Sequence, residues 1–428
     1  MFSRLSILGG VLFFVLTPIL SKSQDTIRLS DLYKDIITSN PISRISGSID
    51  SIYQFKKNNI KVNYLPKLDL NGTATYQSDV TALDISIPIP GFSVPSADKD
   101  QYKLTLDVSQ LIWDGGATKS RLELEERNRI LEKNKIDVEL FNLKDRLTTL
   151  YFNLLILDVA KNQLDLMKVD LGKRIEELEV GVKAGTVLPS TLDALKAEQL
   201  KLMQSLDAIP AQKWSLISSI NAITGKTIAD NSTFIVPNPT LLDNLTCMRP
   251  ELSGFTYQKD IMSASSDLVS RKRYPIIAGF IQGGYGKPGM NMLSNKWDTF
   301  YLFGAKLSWN IWDWNSSSRE KQQIKVQKGV IDQRIYSYLD TYNAQISGLK
   351  TEIDKLNKQL EKDFQIIDLL HGVTERSASL LKNGSITSAN FIIDFNAESK
   401  ARLDMELRKI SLAMQKVLLY NITGNEFR

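Results

Sequence analysis

Side chains that commonly carry out enzyme chemistry are scarce in this sequence of 428 residues. It contains one cysteine, Cys247, and one histidine, His371. A disulfide within the chain is therefore impossible, and a metal site built from cysteine and histidine is not expected. The sequence also contains no glycine-rich phosphate loop, no nucleophile elbow and no His/Cys/Asp cluster. We therefore predict a protein that is not an enzyme and has no cofactor, in which His371 has an ordinary structural role.

The charges favour no nucleic-acid partner. Lysine and arginine number 53 and aspartate and glutamate 48, which gives a formal net charge of +5 at pH 7. Both signs are mixed along the chain, and no basic stripe is interleaved with aromatic residues.

Residues 1–23 are predicted to be a secretory signal peptide. Arg4 supplies the positive start, residues 5–20 are mostly apolar, and small residues lead to a cleavage site after Ser23 or Gln24. An uncleaved membrane anchor is the alternative, but the apolar run is short for a span and is followed by polar sequence. No cysteine lies near this site, so a lipoprotein anchor is excluded. We expect an exported chain without a transmembrane helix.

The rest of the sequence is organised as two similar halves. Residues 113–116 precede a long proline-free run that ends at Gly185, and residues 312–315 precede a second run that ends at Gly384. The offset is 199 positions at both ends (312 − 113 and 384 − 185). In each run the apolar residues recur in steps of four and three, which predicts a coiled-coil helix. Such a helix of 66 residues would be roughly 100 Å long.

A two-residue period predicts strands with one apolar and one polar face before each long helix. The predicted strands are at about 66–77, 101–113, 275–285 and 299–312. The predicted long helical hairpins are at about 116–225 and 316–421. These elements divide the chain into a first repeat (24–230), a linker (231–248) and a second repeat (249–428).

The apolar strand faces need a partner. An isolated hairpin is marginal in water, and an open sheet edge is not tolerated in lipid. Four strands are too few to close a membrane barrel, because the smallest have about eight. A barrel must therefore be completed by other copies of the chain. A soluble sheet capped by aromatic residues is the alternative; the signal peptide and the long helices favour the barrel.

The order of these features resembles the TolC family of outer-membrane efflux proteins over essentially the whole mature chain. The matching segments are the helix starts at 39–41 and 249–252, the strand starts at 64–66 and 274–275, the strand end at 111–116, and the turns at Gly185 and Gly384. The resemblance implies an α+β membrane protein: a homotrimer in outer-membrane lipid, with four strands per subunit in a 12-stranded β-barrel. A long α-helical coiled-coil tunnel would continue this barrel into the periplasm.

The resemblance also implies a function as the exit duct of a tripartite efflux pump or a type I secretion system. The partners would be a periplasmic adaptor and an inner-membrane transporter. The duct would be closed at its tip by carboxylates on the return helix after the second turn. Asp394 is the nearest carboxylate, with Asp193 a weaker candidate after the first turn; the alternative is that Asp394 is a solvated residue on a helix face.

The remaining expected sites are the tips and the junction between barrel and tunnel. Val187 and Leu188 are apolar residues in a turn expected to be exposed, which favours docking of the adaptor there. The second tip is expected to be one residue longer than the first. The expected docking residues are Gly185, Thr186, Val187, Leu188, Gly384, Ser385 and Ile386. The expected junction residues are Trp113, Asp114, Gly115, Gly116, Trp312 and Asp313.

Two other classes of protein compete with this interpretation. A periplasmic adaptor without a pore would have one helical hairpin flanked by compact β domains, whereas this sequence predicts two hairpins. An envelope enzyme would need catalytic groups that the sequence lacks. The sequence does not separate drug efflux from type I secretion of proteins.

Overall fold

The computed structural model describes residues 26–81, 98–240, 246–292 and 294–425, so the predicted signal peptide lies outside the described residues. The elements in chain order are β1 (Thr26–Ile27), α1 (Leu29–Ser39), α2 (Pro41–Lys61), a 3-10 turn (Val62–Tyr64), β2 (Lys67–Tyr76), β3 (Asp100–Trp113), α3 (Ala117–Lys183), α4 (Pro189–Thr224), β4 (Thr233–Phe234), α5 (Pro250–Arg271), β5 (Ile276–Lys287), β6 (Asp298–Ser308), α6 (Ser316–Lys382) and α7 (Ser388–Thr423).

The long helices of the two halves have equal lengths. Helices α3 and α6 each contain 67 residues, and the return helices α4 and α7 each contain 36. Each long helix is therefore roughly 100 Å long at 1.5 Å per residue. Strand β6 ends at Ser308, earlier than the expected 312, whereas β5 extends beyond 285 to Lys287.

The four long strands form one antiparallel sheet in the order β2-β3-β5-β6. Strands β2 and β3 form one β-hairpin, and β5 and β6 form another. The pairing of β3 with β5 joins these two β-hairpins into one sheet. The register places apolar residues opposite each other, for example Leu70 with Leu106 and Ile281 with Phe303. Strands β2 and β6 pair on one side only, so each leaves an edge of the sheet open.

A second, small sheet ties the N-terminal segment to the predicted linker. Thr26 and Ile27 pair in parallel with Thr233 and Phe234. The hydroxyl of Tyr151 donates hydrogen bonds to the carbonyl oxygens of Ile27 (2.9 Å) and Ile235 (2.6 Å). This pairing was not predicted, and residues 233–234 lie in the expected linker at 231–248, because strands of two residues have no periodic sequence signal.

The buried side chains form two separate clusters within the helices. One surrounds Leu147 and Phe152 in the middle of α3, where α1, α4 and α7 meet it. The other contains Leu178, Leu195 and Phe391 and lies near the ends of the hairpins. In the part of the chain that is described, no helix combines the length and hydropathy needed to cross a membrane.

Candidate functional site

At the first strand-to-helix junction, Asp114 organises a tight turn. Its carboxylate accepts hydrogen bonds from the Tyr64 hydroxyl (2.8 Å) and the backbone N–H groups of Gly116 (2.9 Å) and Thr118 (2.6 Å). Burial alone would raise the pKa of Asp114, but these hydrogen bonds outweigh it and lower that pKa. Asp114 is therefore an ionised helix cap, which satisfies backbone donors that the start of α3 leaves free.

The two glycines of this junction are required by its geometry. Gly115 and Gly116 have φ angles of 65° and 84°, a left-handed region that suits glycine. A Cβ atom at Gly115 would lie 2.3 Å from the Cβ of Tyr274, so α5 and β5 approach the turn closely here. Trp113 packs edge-on against the same tyrosine, with 6.5 Å between the ring centroids.

The second junction repeats this turn with different residues and much less packing. Asp313 accepts a hydrogen bond from the backbone N–H of Ser317 at 3.0 Å, as Asp114 does from Thr118. Asn315 has a φ of 60° and takes the place of the second glycine, because asparagine tolerates a left-handed backbone. Trp314 is also left-handed, with a φ of 52°, which the sequence did not predict. Trp312 and Trp314 are 69% and 76% exposed.

The tip turns are built alike. Gly185 and Gly384 have φ angles of 75° and 69° and end α3 and α6. The N–H of Thr186 donates to the Gly181 carbonyl (2.9 Å), and the N–H of Ser385 donates to the Leu380 carbonyl (2.8 Å). Each return helix begins four residues after its glycine (189 − 185 and 388 − 384). The turns are therefore equal in length, and the expectation of a longer second turn was wrong.

The tip residues differ in exposure. Leu188 is 71% exposed, but Val187 and Ile386 are half-buried and pack against the cluster inside the hairpin ends. Our expectation that Val187 would be exposed was therefore wrong, because the turn folds that side chain back over Gly181. Gly185, Thr186, Gly384 and Ser385 are exposed. The two turns lie side by side, since a Cβ at Gly384 would be 3.9 Å from the Thr186 carbonyl oxygen.

The two candidate carboxylates have different environments. Asp394 is half-buried between α6 and α7, where its carboxylate accepts a hydrogen bond from the Ser377 hydroxyl. The Thr374 hydroxyl donates to the Asp394 backbone carbonyl at 3.3 Å. Asp193 is exposed and, among the described residues, forms no ion pair. A solvated helix-face residue thus describes Asp193 better than Asp394.

Helix α7 carries, near the second tip, a buried carboxylate that the sequence did not reveal. Glu398 is 8% exposed and pairs with His371 (2.9 Å) and Arg402 (2.6 Å). Burial raises the pKa of Glu398, but hydrogen bonds from Arg402, Thr374 and His371 outweigh it and lower that pKa. His371 therefore helps to hold an ionised group between α6 and α7.

Polar contacts near the tips join the first hairpin to the second. The Arg174 guanidinium lies 2.8 Å from the Glu375 carboxylate, and the Asn396 amide donates to Glu198 at 3.1 Å. The two residues of each pair are about 200 positions apart in sequence, because the two halves are repeats that lie side by side. No local spacing could have revealed these contacts.

The sheet has one apolar and one polar face. Leu70 and Phe303, on the apolar face, are 69% and 72% exposed. On the opposite face, Asp107 accepts hydrogen bonds from Gln282 (2.5 Å), Asn71 (2.6 Å) and the nearby Thr105 hydroxyl. Apolar side chains without cover, opposite a hydrogen-bonded polar face, are the pattern of a strand between lipid and water.

Comparison with solved structures places this geometry among known folds. CusC, described in terms of folding and transmembrane channel formation, matches with a TM-score of 0.68 at 11% identity over 93% of this chain and 92% of its own. The outer membrane protein VceC from Vibrio cholerae matches with a TM-score of 0.65 at 14% identity over 94% and 97%. The open state of the MtrE outer membrane channel from Neisseria gonorrhoeae gives 0.64 at 15% identity over 93% and 89%.

The chain has the fold of the outer-membrane channels. The resemblance to the TolC family stated from the sequence is thus confirmed in its fold. No protein-family model matches the chain. No curated protein matches it either. The matched structures are channels rather than enzymes, and they share elements along nearly the whole chain.

Proposed function

We propose that this protein is an outer-membrane channel that serves as the exit duct of a tripartite efflux or type I secretion system. The observation that carries the proposal is the sheet. Its apolar face is exposed, its polar face is hydrogen-bonded, and both its edges are open. An open edge is not tolerated in lipid, so the sheet needs further strands in the membrane.

Those strands come from other copies of the chain. Strand β2 has 10 residues and β6 has 11, so the β2 edge of one subunit can pair with the β6 edge of the next. Three subunits with four strands each close a 12-stranded barrel, within the size range of membrane barrels. The exposed apolar residues Phe55 on α2 and Tyr336 on α6 are covered in the same assembly, because α2 leads into the edge strand β2 and α6 follows the edge strand β6.

The helical hairpins then form a tunnel in the periplasm, with its gate at the tips. The contact between Arg174 and Glu375 holds the two hairpins of one subunit together. Asp394 contributes a ring of three carboxylates, which favours cations. A periplasmic adaptor docks on the exposed turns around Leu188 and Ser385 and connects the duct to an inner-membrane transporter. The hairpins slide past one another when the gate opens, as in other shear motions.

Single-channel recording of the purified protein in planar bilayers tests this function. We expect discrete conductance steps from a protein that migrates as a trimer before heating and as a monomer afterwards. Outer-membrane fractions should contain the same heat-modifiable form. A soluble monomer without conductance would overturn the proposal and favour an envelope interaction protein without a pore.

The role of Asp394 is tested separately. Divalent cations added from the tip side should block the wild-type channel, and Asp394→Ala should weaken that block because the carboxylate ring is lost. Asp193→Ala is the matched control, since it removes one carboxylate from the exposed position on the other return helix. Equal block in the wild type and Asp394→Ala would remove Asp394 from the gate.

A further inference from the structure

At the base of the sheet, where the strands meet the helices, lies a cleft of about 360 Å³ that the proposed function leaves unused. Lys67 and Ser109 line it and lie opposite each other in the sheet. The next pair, Leu68 and Val108, belongs to the other, apolar face. Ala278 lines it from β5. The cleft therefore opens on the polar face, which faces the lumen in the proposed trimer.

Two cations from different elements reach this cleft. Lys67 is the first residue of β2, and Arg121 lies one turn into α3. Both side chains are exposed, and neither forms an ion pair within the described part of the chain. Arg127 and Arg129, further along α3, are both paired with carboxylates. The cleft thus contains two cations that no carboxylate pairs with in the described part of the chain.

Among the described residues, Asp114 is the carboxylate that lines the cleft, and it does not neutralise these cations. Asp114 is 6% exposed, and its oxygens accept hydrogen bonds from Tyr64, Gly116 and Thr118. An anion that enters the cleft therefore meets two available donors rather than a competing free carboxylate.

Apolar side chains form another part of the lining. Leu65 and Ile276 are 57% and 44% exposed there, and Leu111 and Ala278 complete the wall. An inorganic anion would leave this surface uncovered, whereas an apolar tail would bury it. One step further along the sheet, Asp69 lies opposite Asp107, so the polar face is acidic beyond the cleft. The cleft is thus a local basic site and not part of a uniformly positive lumen.

We propose that this cleft, with Lys67 and Arg121, binds amphiphilic organic anions: molecules with an apolar body and a sulfonate, sulfate or carboxylate head. The proposal rests on the channel function, because it assigns this class of molecule to the substrates that pass the junction of barrel and tunnel. The lysine and the guanidinium bind the head, and the four apolar side chains cover the body. A trimer carries three such sites around its lumen.

Equilibrium binding tests the site without any need for conduction. The full-length protein is placed in nanodiscs of a zwitterionic lipid, and hexanesulfonate is titrated by calorimetry. Lys67→Gln/Arg121→Gln should weaken binding by at least about tenfold, the effect of one hydrogen bond to a charged group. The double variant Lys103→Gln/Lys119→Gln is the matched control. It also removes two cations, one on the polar face over the Phe300 ring and one exposed on α3.

Comparison of ligands separates the two parts of the site. Methanesulfonate, which has the head alone, and hexyltrimethylammonium, which has the opposite charge, should both bind more weakly than hexanesulfonate. Equal binding of either ligand, or equal binding of hexanesulfonate to wild type and Lys67→Gln/Arg121→Gln, would overturn the proposal. Conductance recorded from the same preparation tests the channel function independently. A conducting trimer that does not bind hexanesulfonate refutes the site alone, and a trimer that binds hexanesulfonate without conducting refutes the channel function.

Discussion

The two hairpin ends of this chain occupy equivalent places in the repeat and share one apolar cluster, yet they differ at one pair of equivalent positions. Leu178 and Leu195 of the first hairpin are 3% and 0% exposed. The residues 199 positions later are Ser377 and Asp394 (377 − 178 and 394 − 195), which are joined by a hydrogen bond. A buried leucine pair in the first hairpin is thus replaced in the second by a buried serine and a half-buried aspartate.

The junctions differ in the same direction. Gly115 of the first junction is buried against Tyr274, whereas Trp314, its equivalent 199 positions later, is 76% exposed. Asp114 is buried, and Asp313 is only half-buried. At these equivalent positions near both ends of the long helices, the first repeat is therefore more deeply buried than the second.

This difference indicates that the two tips are not equally easy to displace. Close-packed apolar contacts resist small displacements, because the interior loses contacts as soon as it is moved. Polar contacts at a partly exposed site can be exchanged for water at a small net cost. We infer that, in the proposed channel, the second hairpin tip is displaced more easily than the first.

The largest effect is expected from placing the polar residue of the second tip into the first. Leu195→Asp should destabilise the helical region by at least about 2–5 kcal/mol, the cost of losing a buried leucine, since it also buries a carboxylate. The exchanged control, Asp394→Leu, should change stability little, because this position is half-buried. Thermal unfolding followed by far-UV circular dichroism measures both. Equal losses in the two variants would contradict this difference between the two tips.

A smaller effect is expected at the junctions. Gly115→Ala combines a left-handed backbone with a contact of 2.3 Å to Tyr274. It should therefore cost about 2–4 kcal/mol from strain and overpacking together. Asn315→Ala, at an exposed left-handed position, should cost only about 1 kcal/mol. Unfolding temperatures of the purified trimers give the comparison, and a Gly115→Ala protein as stable as Asn315→Ala would mean that the first junction is no more tightly packed.

The pH dependence of the second tip follows from Glu398. Its pKa lies below the ordinary value of 4.5 in the folded protein, so folding is favoured by its ionised form. This contribution is fully present above pH 4.5 and is lost as the pH falls through the lower, folded pKa. Glu398→Gln should therefore be less stable than the wild type at pH 7, and the difference should shrink under acid conditions.

The measurement is thermal unfolding of the wild type and Glu398→Gln at a series of pH values. Glu406→Gln is the matched control on the same helix, because Glu406 pairs only with the neighbouring Lys409 in the described part of the chain. A stability difference between the wild type and Glu398→Gln that does not depend on pH would show that the carboxylate contributes by shape and not by charge.

Periodicity explains which parts of this structure could be predicted. The long helices and the strand faces repeat the same spacing many times, so their sequence signals are strong. A left-handed backbone can be predicted for Asn315, because asparagine tolerates it, but not for Trp314, because nothing in the properties of tryptophan favours it. The β3–β5 pairing brings together strands from different repeats, and no local pattern records that choice.

The same reason applies to the tips. The turns at Gly185 and Gly384 were predicted from glycine at the end of a helical pattern. The environment of Asp394 was not, because it depends on which face of α6 meets α7. The pairing of Arg174 with Glu375 also needs the two hairpins side by side. Single residues at turns could thus be assigned from sequence, and contacts between helices could not.

The smallest effect, on gating, is expected from the ion pair that joins the two hairpins. Arg174→Gln removes the contact with Glu375, and Lys173→Gln is the matched control because Lys173 pairs only with Asp170 on its own helix among the described residues. A partly exposed pair contributes about 0.2–1 kcal/mol, which corresponds to an increase in open probability of at most about fivefold. Single-channel recording should show this increase for Arg174→Gln only.

The charge-swapped double variant Arg174→Glu/Glu375→Arg should then restore the wild-type open probability, because it rebuilds the pair with its charges exchanged. The effect should also fade as the salt concentration rises, since partly exposed charges are screened. If Arg174→Gln and Lys173→Gln behave alike, the hairpins are not held by this pair. The mobility of the second hairpin would then depend on the Ser377–Asp394 contact inside it.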